Sequence, residues 1–447
     1  MTTLVWFRND LRTRDNPALF EACEVAGAGP VHAVYLVCDR QARDHGEGDP
    51  KLSFLRNTLE VLAADLERLG IPLHIRHAPM FADVAEVLSG LCTELDAQAL
   101  YFNAEYPLNE ARRDRAVADF CTGSGIACHR LHGDVVMPPG TVVKDDGGPY
   151  SVFTPFKRRW LDRASPAILK PLAAPTRRTA PAGTVNREAL TALPEASPHP
   201  DWPAGEAAAQ ARLKNFVADN IAAYDDDRDI PAKPATSKLS AYLALGAISV
   251  RDCYTQALAD QGPGGETWRS ELIWREFYRH VIANYPHVSR GEAFKRETDR
   301  LPWRQDPDAL DAWKAGETGY PLVDAGMRQL AQTGFMHNRL RMVTAMFLTK
   351  HLLIDWREGE RHFMASLRDA DFASNNGGWQ WSASTGTDAA PYFRIFNPES
   401  QAKKFDAGNT FINDFIPELR DGTRSYPAPI VEHRAARERA LAFFKSN

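Results

Sequence analysis

Short hydrophobic runs alternate with amphipathic stretches of helical length through the first third of the chain. The runs are rich in β-branched and aromatic residues and predict strands at Thr3–Phe7, Val31–Val37, Ile71–Arg76, Ala99–Phe102 and Ile126–Leu131. The stretches between them, such as Lys51–Leu69 and Asn109–Cys121, are rich in Ala, Leu and Glu. Strands that alternate with helices imply a parallel sheet covered on both faces. The sequence therefore predicts a doubly wound α/β domain over residues 1–135, without a dinucleotide-binding glycine fingerprint.

The pattern changes twice after residue 135. Between Ser165 and Pro203 the chain has eight prolines, which deny backbone donors to the interior of a helix or strand. We expect residues 136–205 to form an extended inter-domain linker on the surface. From Glu206 onward the hydrophobic period is 3.6, so residues 206–447 are predicted to form an all-α domain. Its clearest helices are expected at Leu272–Ile282, Pro321–Leu330 and Met336–Leu353.

The composition is that of an ordinary globular protein with a small negative charge. The 447 residues include 53 Lys and Arg against 58 Asp and Glu, a net charge of −5 that argues against a globally basic DNA-coating protein. No run of about 18 apolar residues is present, and the N-terminus is too charged for a signal peptide, so we expect neither a membrane span nor export. The six cysteines form no CxxC pair, which predicts a reducing, cytoplasmic location.

Aromatic residues are the unusual feature of the second domain. Seven of the ten tryptophans lie between Trp268 and Trp381. Five residues of one segment recur at spacings of three and four and share a helix face: Trp268, Glu271, Trp274, Arg275 and Tyr278. Such a face suits stacking on flat rings, although an ion-pair helix with ordinary aromatic packing has the same pattern.

Three other polar segments are candidates for ligand contacts. Thr236 to Ser240 places hydroxyls and a lysine before a helical run, which fits a phosphate cradle or simple capping by Ser240. The two arginines after His337 fit phosphate contacts or a solvated face, and His337 itself fits a core position. Asp369 and Asp371 could be hydrogen-bond acceptors, an acid/base pair or metal ligands. Because no His or Cys lies nearby in sequence, we expect no metal site.

Longer stretches of this domain resemble one known family. Glu271–Tyr278, Met336–Met342 and Asn375–Trp381, followed by Ser382–Asp388, look like the photolyase/cryptochrome family, and the resemblance extends from Trp6 to Phe411. It is closest to bacterial class I cyclobutane pyrimidine dimer photolyases. The resemblance implies an N-terminal α/β antenna domain, which holds a light-harvesting pigment, and an all-α C-terminal domain that binds FAD.

Carried over position by position, the family's FAD contacts fall into two groups. The phosphates and adenosine would be held by Tyr224, Thr236, Ser237, Leu239, Ser240, Trp268 and Arg275. The isoalloxazine and ribityl chain would be surrounded by Asn338, Arg341, Asp369, Asp371 and Asn375. Asn375 would face flavin N5, and Arg341 would pair with Asp369.

The activity implied by the resemblance is light-driven DNA repair. Excited FADH⁻ would donate an electron to a cyclobutane pyrimidine dimer flipped out of UV-damaged DNA, and enzymes of this kind are known base flippers. Glu271 would hydrogen-bond the base edge, and Asn338 would reach both flavin and lesion. The remaining DNA contacts are expected from Arg228, Trp274, Arg339, Met342 and Trp381, with Lys404 as a weaker candidate. Asn338 and Met342 stand where photolyases of the (6-4) photoproduct carry His, so cyclobutane dimers are the expected lesion.

Two rival functions have the same overall sequence pattern. One is a cryptochrome, a blue-light receptor without repair activity, and the other is a dark electron-transfer flavoprotein. The retained Glu271, Trp274, Met342 and Trp381 argue against a cryptochrome. A dark electron-transfer flavoprotein would not need two indoles and a carboxylate aimed at a lesion pocket. We expect the repair enzyme to act as a monomer.

Two further sets of residues match the family. Trp379, Trp356 and Trp303 match a three-indole relay from the flavin to the surface, although any single tryptophan is more often a core residue. His45, Asn109, Glu110 and Arg290 match the contacts of a methenyltetrahydrofolate antenna, although Asn109-Glu110 also reads as a helix cap. The folate is favoured here over a deazaflavin or an empty site.

Overall fold

A parallel sheet forms the centre of the N-terminal part of the chain. The computed structural model describes residues 1–181, 185–195, 199–422 and 425–445. Its five strands are β1 Thr2–Phe7, β2 Val31–Val37, β3 Leu73–His77, β4 Ala97–Asn103 and β5 Ala127–Leu131. They lie in the order β3-β2-β1-β4-β5, and every neighbouring pair is parallel. The predicted doubly wound sheet is confirmed.

Helices cover both faces of this sheet. They are α1 Pro17–Ala26, α2 Asp39–Asp44, α3 Asp49–Arg68, α4 Val84–Glu94 and α5 Leu108–Gly123. Helix α1 begins with Pro17, and the Asn16 side chain accepts a hydrogen bond from the Leu19 amide, so the start of this helix is fixed by its sequence. Because both faces are buried, β1 shows five consecutive buried residues from Thr3 to Phe7 instead of an alternating pattern.

The segment predicted as a linker contains structure of its own. Helices α6 Phe153–Arg163 and α7 Pro166–Leu169 lie within it. Trp160 is buried and donates its indole N–H to Glu276 at 2.6 Å, so α6 is packed against the C-terminal part of the chain. Residues 182–184 and 196–198 of this segment lie outside the described residues, and the domain limits of 135 and 205 stay predictions.

Helices make up the rest of the chain, as the 3.6 period predicts. Seven of them lie before residue 334, at α8 Glu206–Asp219, α9 Tyr224–Asp227, α10 Ser240–Ala244, α11 Val250–Gln256, α12 Pro263–Asn284, α13 Pro307–Ala315 and α14 Pro321–Thr333. Seven more follow, at α15 Asn338–Met346, α16 Trp356–Ser366, α17 Phe372–Ala383, α18 Pro398–Phe405, α19 Thr410–Phe415, α20 Pro417–Asp421 and α21 His433–Lys445. A π-helical turn, Phe347–His351, continues α15. Residues 206–422 and 425–445 contain no strand.

Two hydrophobic clusters pack the helical part, one that includes residues of α8 to α12 and one around α14, α15, α16 and α17. Residues of α12, α15, α16 and α17 also line one cavity. Within the described ranges, none of the helices has the length and apolar character required to cross a bilayer.

Candidate active site

A cavity of about 510 Å³ lies among α9, α10, α12, α15, α16 and α17. This volume is within the range of about 300–1,000 Å³ that ligand sites occupy. The predicted cofactor residues on its wall are Tyr224, Ser237, Leu239, Ser240, Trp268, Arg275, Asn338, Arg341, Asp369, Asp371 and Asn375. Residues proposed to contact the lesion line the same cavity, namely Arg228, Glu271, Trp274, Met342 and Trp381. One cavity therefore holds both sets.

Helix α12 supplies one wall, through the residues that the sequence places on one face. All five of them line the cavity: Trp268, Glu271, Trp274, Arg275 and Tyr278. The 22 residues of this helix allow the spacing of three and four to hold over three turns. Glu271 accepts a hydrogen bond from Arg228 at 2.7 Å, so the carboxylate is ionically paired at the cavity wall.

A cluster of charges lies at the junction of α12 and α17. Arg279 donates to Asp371 at 2.9 and 3.2 Å and to Asp134 at 2.7 Å. Arg275 also pairs with Asp134, and it donates to the Asp134 carbonyl at 2.7 Å. Asp371 caps α17 by accepting the Ser374 amide at 2.9 Å. Burial raises the pKa of Asp371, but the guanidinium groups of Arg279 and Arg275 and the Ser374 hydrogen bonds outweigh it, so the net pKa is well below its ordinary range.

Arg341 and Asp369 form the pair that the sequence predicts. The two nitrogen–oxygen distances from Arg341 Nη2 are 2.8 and 3.0 Å, and Arg341 Nε donates to the Met336 carbonyl at 2.8 Å. The Asp369 side chain is almost fully buried, whereas that of Arg341 is partly exposed. The pair therefore presents a fixed charged edge to the cavity.

Amide side chains lie on the wall opposite α12. Asn338 begins α15 and is exposed to the cavity, with Met342 one turn further along. Asn375 donates its amide to the Glu360 carbonyl at 3.0 Å, which holds it in place on α17. Burial raises the pKa of the Glu360 carboxyl to about 7, and this group accepts a hydrogen bond from Asn376 at 2.8 Å.

The segment before α10 differs in part from the prediction. Ser240 is the first residue of α10 and not its N-cap, because Leu239 occupies the cap position and gives no side-chain hydrogen bond. The prediction that Ser240 caps this helix is therefore wrong. Ser237 Oγ instead accepts the Leu239 amide at 3.4 Å. Thr236 is not among the residues that line the cavity.

The two candidate lesion walls face the cavity from different helices. Trp274 on α12 is stacked on Phe153, with ring centroids 3.7 Å apart and an interplanar angle of 10°. Trp381 lies near the end of α17 and is partly exposed. Arg339 does not line the cavity, because its guanidinium pairs with Asp229 and lies over the Phe405 ring at 4.4 Å.

The three tryptophans of the predicted relay differ in exposure. Trp379 lines the cavity at 2 % exposure, Trp356 is fully buried, and Trp303 is partly exposed beside Phe443 and Phe444. Among the described residues, none accepts a hydrogen bond from any of the three indole N–H groups. Unpaired buried polar groups are uncommon, and stored strain, a bound water or ion, or a redox or catalytic role accounts for them.

The predicted antenna residues meet where α2 and α5 approach each other. Asn109 Nδ2 lies 3.1 Å from His45 Nε2, and Glu110 Oε1 lies 3.7 Å from His45 Nδ1. Burial raises the pKa of Glu110 to about 7. Arg290 is exposed on a short turn that packs against α5, and it is not among the residues lining the two cavities beside Glu110.

Those two cavities have volumes of about 80 and 90 Å³, too small to enclose a drug-sized ligand. The first extends from Glu110 to the Asp371–Arg279 pair, which also lines the main cavity. The Asp371–Arg279 pair therefore forms part of the wall of both cavities.

Several lining residues are not predicted by the sequence reasoning. Arg279, the partner of Asp371, lies four residues after Arg275 on the same helix face, and this spacing was the available signal. The others are mainly apolar or small: Leu243, Ala244, Leu272, Ala345, Phe363, Leu367, Ser374, Gly378 and Ser382. Such residues resemble core positions in the sequence and give no separate signal.

Comparisons with known proteins agree with this geometry. The family model described as the FAD binding domain of DNA photolyase matches residues 268–424, and the DNA photolyase model matches residues 3–176. The chain is 43 % identical to the deoxyribodipyrimidine photo-lyase of Escherichia coli (strain K12), covering 100 % of this chain and 99 % of that protein.

Solved structures show the same fold. A bacterial class III photolyase from Agrobacterium tumefaciens is similar with a TM-score of 0.89 at 36 % identity, covering 100 % of this chain and 97 % of that one. A cryptochrome from Synechocystis is similar with a TM-score of 0.88 at 28 % identity, covering 99 % of each chain. With matches to both domain models and a relative of this identity along its whole length, the chain belongs to the DNA photolyase family.

Proposed function

We propose that this protein repairs cyclobutane pyrimidine dimers in UV-damaged DNA with the energy of light. One observation supports the proposal most: a single cavity is lined both by the predicted FAD contacts and by four residues expected to contact the lesion. These four are Trp274, Trp381, Glu271 and Met342. A light-driven transfer of one electron requires donor and lesion to be neighbours, and this cavity has room for both ends of that transfer.

The residues of the cavity fit FAD. Phosphate groups require cations and hydroxyls, which Arg275, Ser237 and Ser240 provide at one end. The flavin ring requires amide partners and a fixed charge at its edge, which Asn338, Asn375 and the Arg341–Asp369 pair provide at the other. When bound and reduced, FAD supplies the absorption of light and the electron.

The protein's own contribution to repair is to hold the lesion in position and to stabilise charge. Trp274 and Trp381 offer flat apolar faces on which the two bases can stack, at about 1–3 kcal/mol per base. Glu271 offers a carboxylate to the base edge, and the neighbouring Arg228 donates a hydrogen bond to that carboxylate at 2.7 Å and holds it in position. Asn338 and Met342 meet the lesion from α15, and both are consistent with a cyclobutane dimer as the substrate.

DNA outside the pocket is expected to be held through its phosphates. Arg228 is near the mouth of the cavity, and Arg339 lies beyond its lining, where it is paired with Asp229. Both guanidinium groups already have carboxylate partners, so each would exchange part of that pairing for a phosphate. Binding should therefore weaken as the salt concentration rises, in spite of the net charge of −5.

Trp379, Trp356 and Trp303 are proposed to reduce oxidised flavin in light. Trp379 lines the cavity, Trp356 is fully buried and Trp303 is partly exposed, so the series has one member at the cavity and one at the surface, as a path for an electron from the surface requires. The cleft at His45, Asn109 and Glu110 is proposed to bind methenyltetrahydrofolate as an antenna. The cavities beside Glu110 are small, so most of this pigment would lie in the open part of the cleft.

We further propose that the protein acts as a monomer in the cytoplasm. Every residue of the main cavity comes from one chain, so no second subunit is needed to complete it. All six cysteines are free, four of them buried, which suits a reducing compartment.

The decisive experiment is illumination of the reduced holoprotein with an oligonucleotide that contains one cyclobutane thymine dimer. We expect the absorbance of intact thymine to recover in light and to stay constant in the dark. An oligonucleotide that contains a (6-4) photoproduct serves as the matched control and should remain unrepaired. No recovery of thymine with the dimer substrate would reject the proposed function, and repair of the second lesion would reject the predicted specificity.

A further inference from the structure

The ring of Phe153 packs flat against the indole of Trp274. The two rings are nearly parallel, with centroids 3.7 Å apart, and Phe153 is 7 % exposed. Phe153 therefore covers one face of the Trp274 indole. Phe153 is the first residue of α6, in the segment between the two domains, so its position is not set by α12 itself.

The start of α6 is attached to the loop that follows the second wall. Asp388 Oδ2 accepts the Phe153 amide at 3.0 Å, and Thr387 donates its hydroxyl to the Ser151 carbonyl at 2.6 Å. This loop also folds back on α17, because the Gly386 amide donates to the Gln380 carbonyl at 3.0 Å. Gln380 is the residue directly before Trp381, so the attachment reaches the helix that carries the second indole.

A second connection joins the same two walls. Tyr278 lies one turn after Trp274 on α12, with ring centroids 5.7 Å apart. A Cβ at Gly377 on α17 would lie 2.2 Å from the Tyr278 ring, so this ring rests directly on the α17 backbone. The helices that carry Trp274 and Trp381 are thus connected at two places, once through Tyr278 and once through Phe153 and the loop at Asp388.

We propose that Phe153, held by Asp388, is a positioning residue that sets the width of the lesion slot between Trp274 and Trp381. The inference rests on the proposed function. Phe153 is not among the residues that line the cavity, so we expect it to act through Trp274 and not by direct contact with flavin or lesion. It acts by preventing Trp274 from moving away from the stacked bases, so that the slot admits two joined pyrimidines and holds them tightly.

The test compares two phenylalanines of the same helix. Phe153→Leu removes the flat support of Trp274, whereas Phe156→Leu is the matched control, because Phe156 packs on Phe277 and His280 and not on Trp274. We expect Phe153→Leu to weaken binding of dimer-containing duplex by about tenfold, within the stacking range. Phe156→Leu and the ring-preserving Phe153→Tyr should stay within about twofold of wild type.

Three other readouts separate positioning from general damage. Flavin absorbance, light-driven flavin reduction and affinity for undamaged duplex should be the same in wild type and Phe153→Leu. If Phe153→Leu does not retain flavin, Phe153→Met is compared with Phe156→Met, because Met fills a similar volume without a flat face. Phe153→Met should then show the loss of affinity for dimer-containing duplex that is expected for Phe153→Leu.

Two results would overturn the role of Phe153 without affecting the proposed function. One is that flavin-loaded Phe153→Leu binds the dimer as tightly as wild type, and the other is that Phe156→Leu loses as much affinity as Phe153→Leu. Both results apply only if wild type binds dimer-containing DNA more tightly than undamaged DNA. If wild type does not make that distinction, the proposed function is rejected and the role of Phe153 with it.

Discussion

Gly359 is the position at which one added methyl group should disturb the cavity most directly. It lies on α16, and a Cβ there would lie 2.0 Å from Trp379 Cη2 and 2.4 Å from Cζ3. Ordinary contact begins near 3.4 Å, so the indole or the helix must move by about 1.4 Å in Gly359→Ala. Trp379 is 2 % exposed and is packed by Phe363 and Trp313, with ring centroids 4.9 and 5.9 Å away. The open side of the indole is the cavity.

Two effects of opposite sign determine the stability of Gly359→Ala. Alanine is favoured over glycine in a helix by about 1 kcal/mol. Overpacking against a rigid ring costs about 1–3 kcal/mol. Because the overlap involves three ring carbons and not a flexible chain end, we expect the second effect to dominate. The net loss of up to about 2 kcal/mol corresponds to a decrease in Tm of up to roughly 4–8 °C for a domain of about 150–250 residues.

Gly90→Ala is the matched control for this prediction. Gly90 lies inside α4, and no atom lies within 4 Å of a Cβ placed there. This substitution should raise stability by about 0.5–1 kcal/mol and leave the flavin unaffected. The assay is thermal unfolding of the holoprotein, together with flavin absorbance and the rate of flavin reduction in light. A Gly359→Ala protein with a Tm at or above that of wild type and an unchanged reduction rate would refute the reasoning.

Three further predictions test the relay and the charged groups. Trp303→Phe should stop light-driven reduction of oxidised flavin but leave repair by chemically reduced protein intact. The control Trp313→Phe should keep both activities. Continued photoreduction in Trp303→Phe would contradict the relay. The raised pKa of Glu110, about 7 in the fold against an ordinary 4.5, means that wild type loses stability as the pH rises between these values. Glu110→Gln should remove that loss, and parallel pH–Tm curves for the two proteins would show that the carboxyl is not the cause. The lowered pKa of Asp371 has the opposite sign, because its stabilisation is present above the ordinary pKa and is lost as the pH falls towards the lower folded value. Asp371→Asn keeps the helix cap but weakens the pair with Arg279, so its free energy of unfolding should be about 1.5–3 kcal/mol below that of wild type at pH 7, with a smaller difference below about pH 4. The measurement is urea unfolding of both proteins. An equal difference at both pH values would reject the ionic explanation.

The sheet was predictable because its strands are buried on both faces. Runs of Val, Ile and aromatic residues have no other common explanation at that length, and the range Val31–Val37 agrees at both ends. The predicted start of the third strand at Ile71 is two residues early. The Ile71 amide donates to the Leu66 carbonyl and so belongs to the end of α3. The next residue, Pro72, has no amide hydrogen to donate to a neighbouring strand.

The sequence pattern could not predict ion pairs between segments that lie far apart along the chain. Arg279 finds Asp134 across 145 positions and Asp371 across 92, and Arg339 finds Asp229 across 110. Local spacing predicts which residues share a helix face, as it does along α12, but not which carboxylate each cation meets. Helix α6 was missed because it lies before the proline-rich stretch but inside the predicted linker, and the spacing of its buried Phe156 and Trp160, one turn apart, was its available signal.

The tryptophans show how a structure separates roles that look alike in a sequence. Trp160 and Trp313 donate their N–H groups, to Glu276 at 2.6 Å and to the Thr344 carbonyl at 3.1 Å, as buried indoles in a core usually do. A hydrogen-bond acceptor beside only one indole of the proposed relay would stabilise positive charge on that indole and keep the charge there. Within the described residues, all three relay indoles lack such a partner, so they differ mainly in exposure. In the proposed relay, water would stabilise positive charge best at the partly exposed Trp303, and this difference would direct positive charge outward and the electron inward to the cavity.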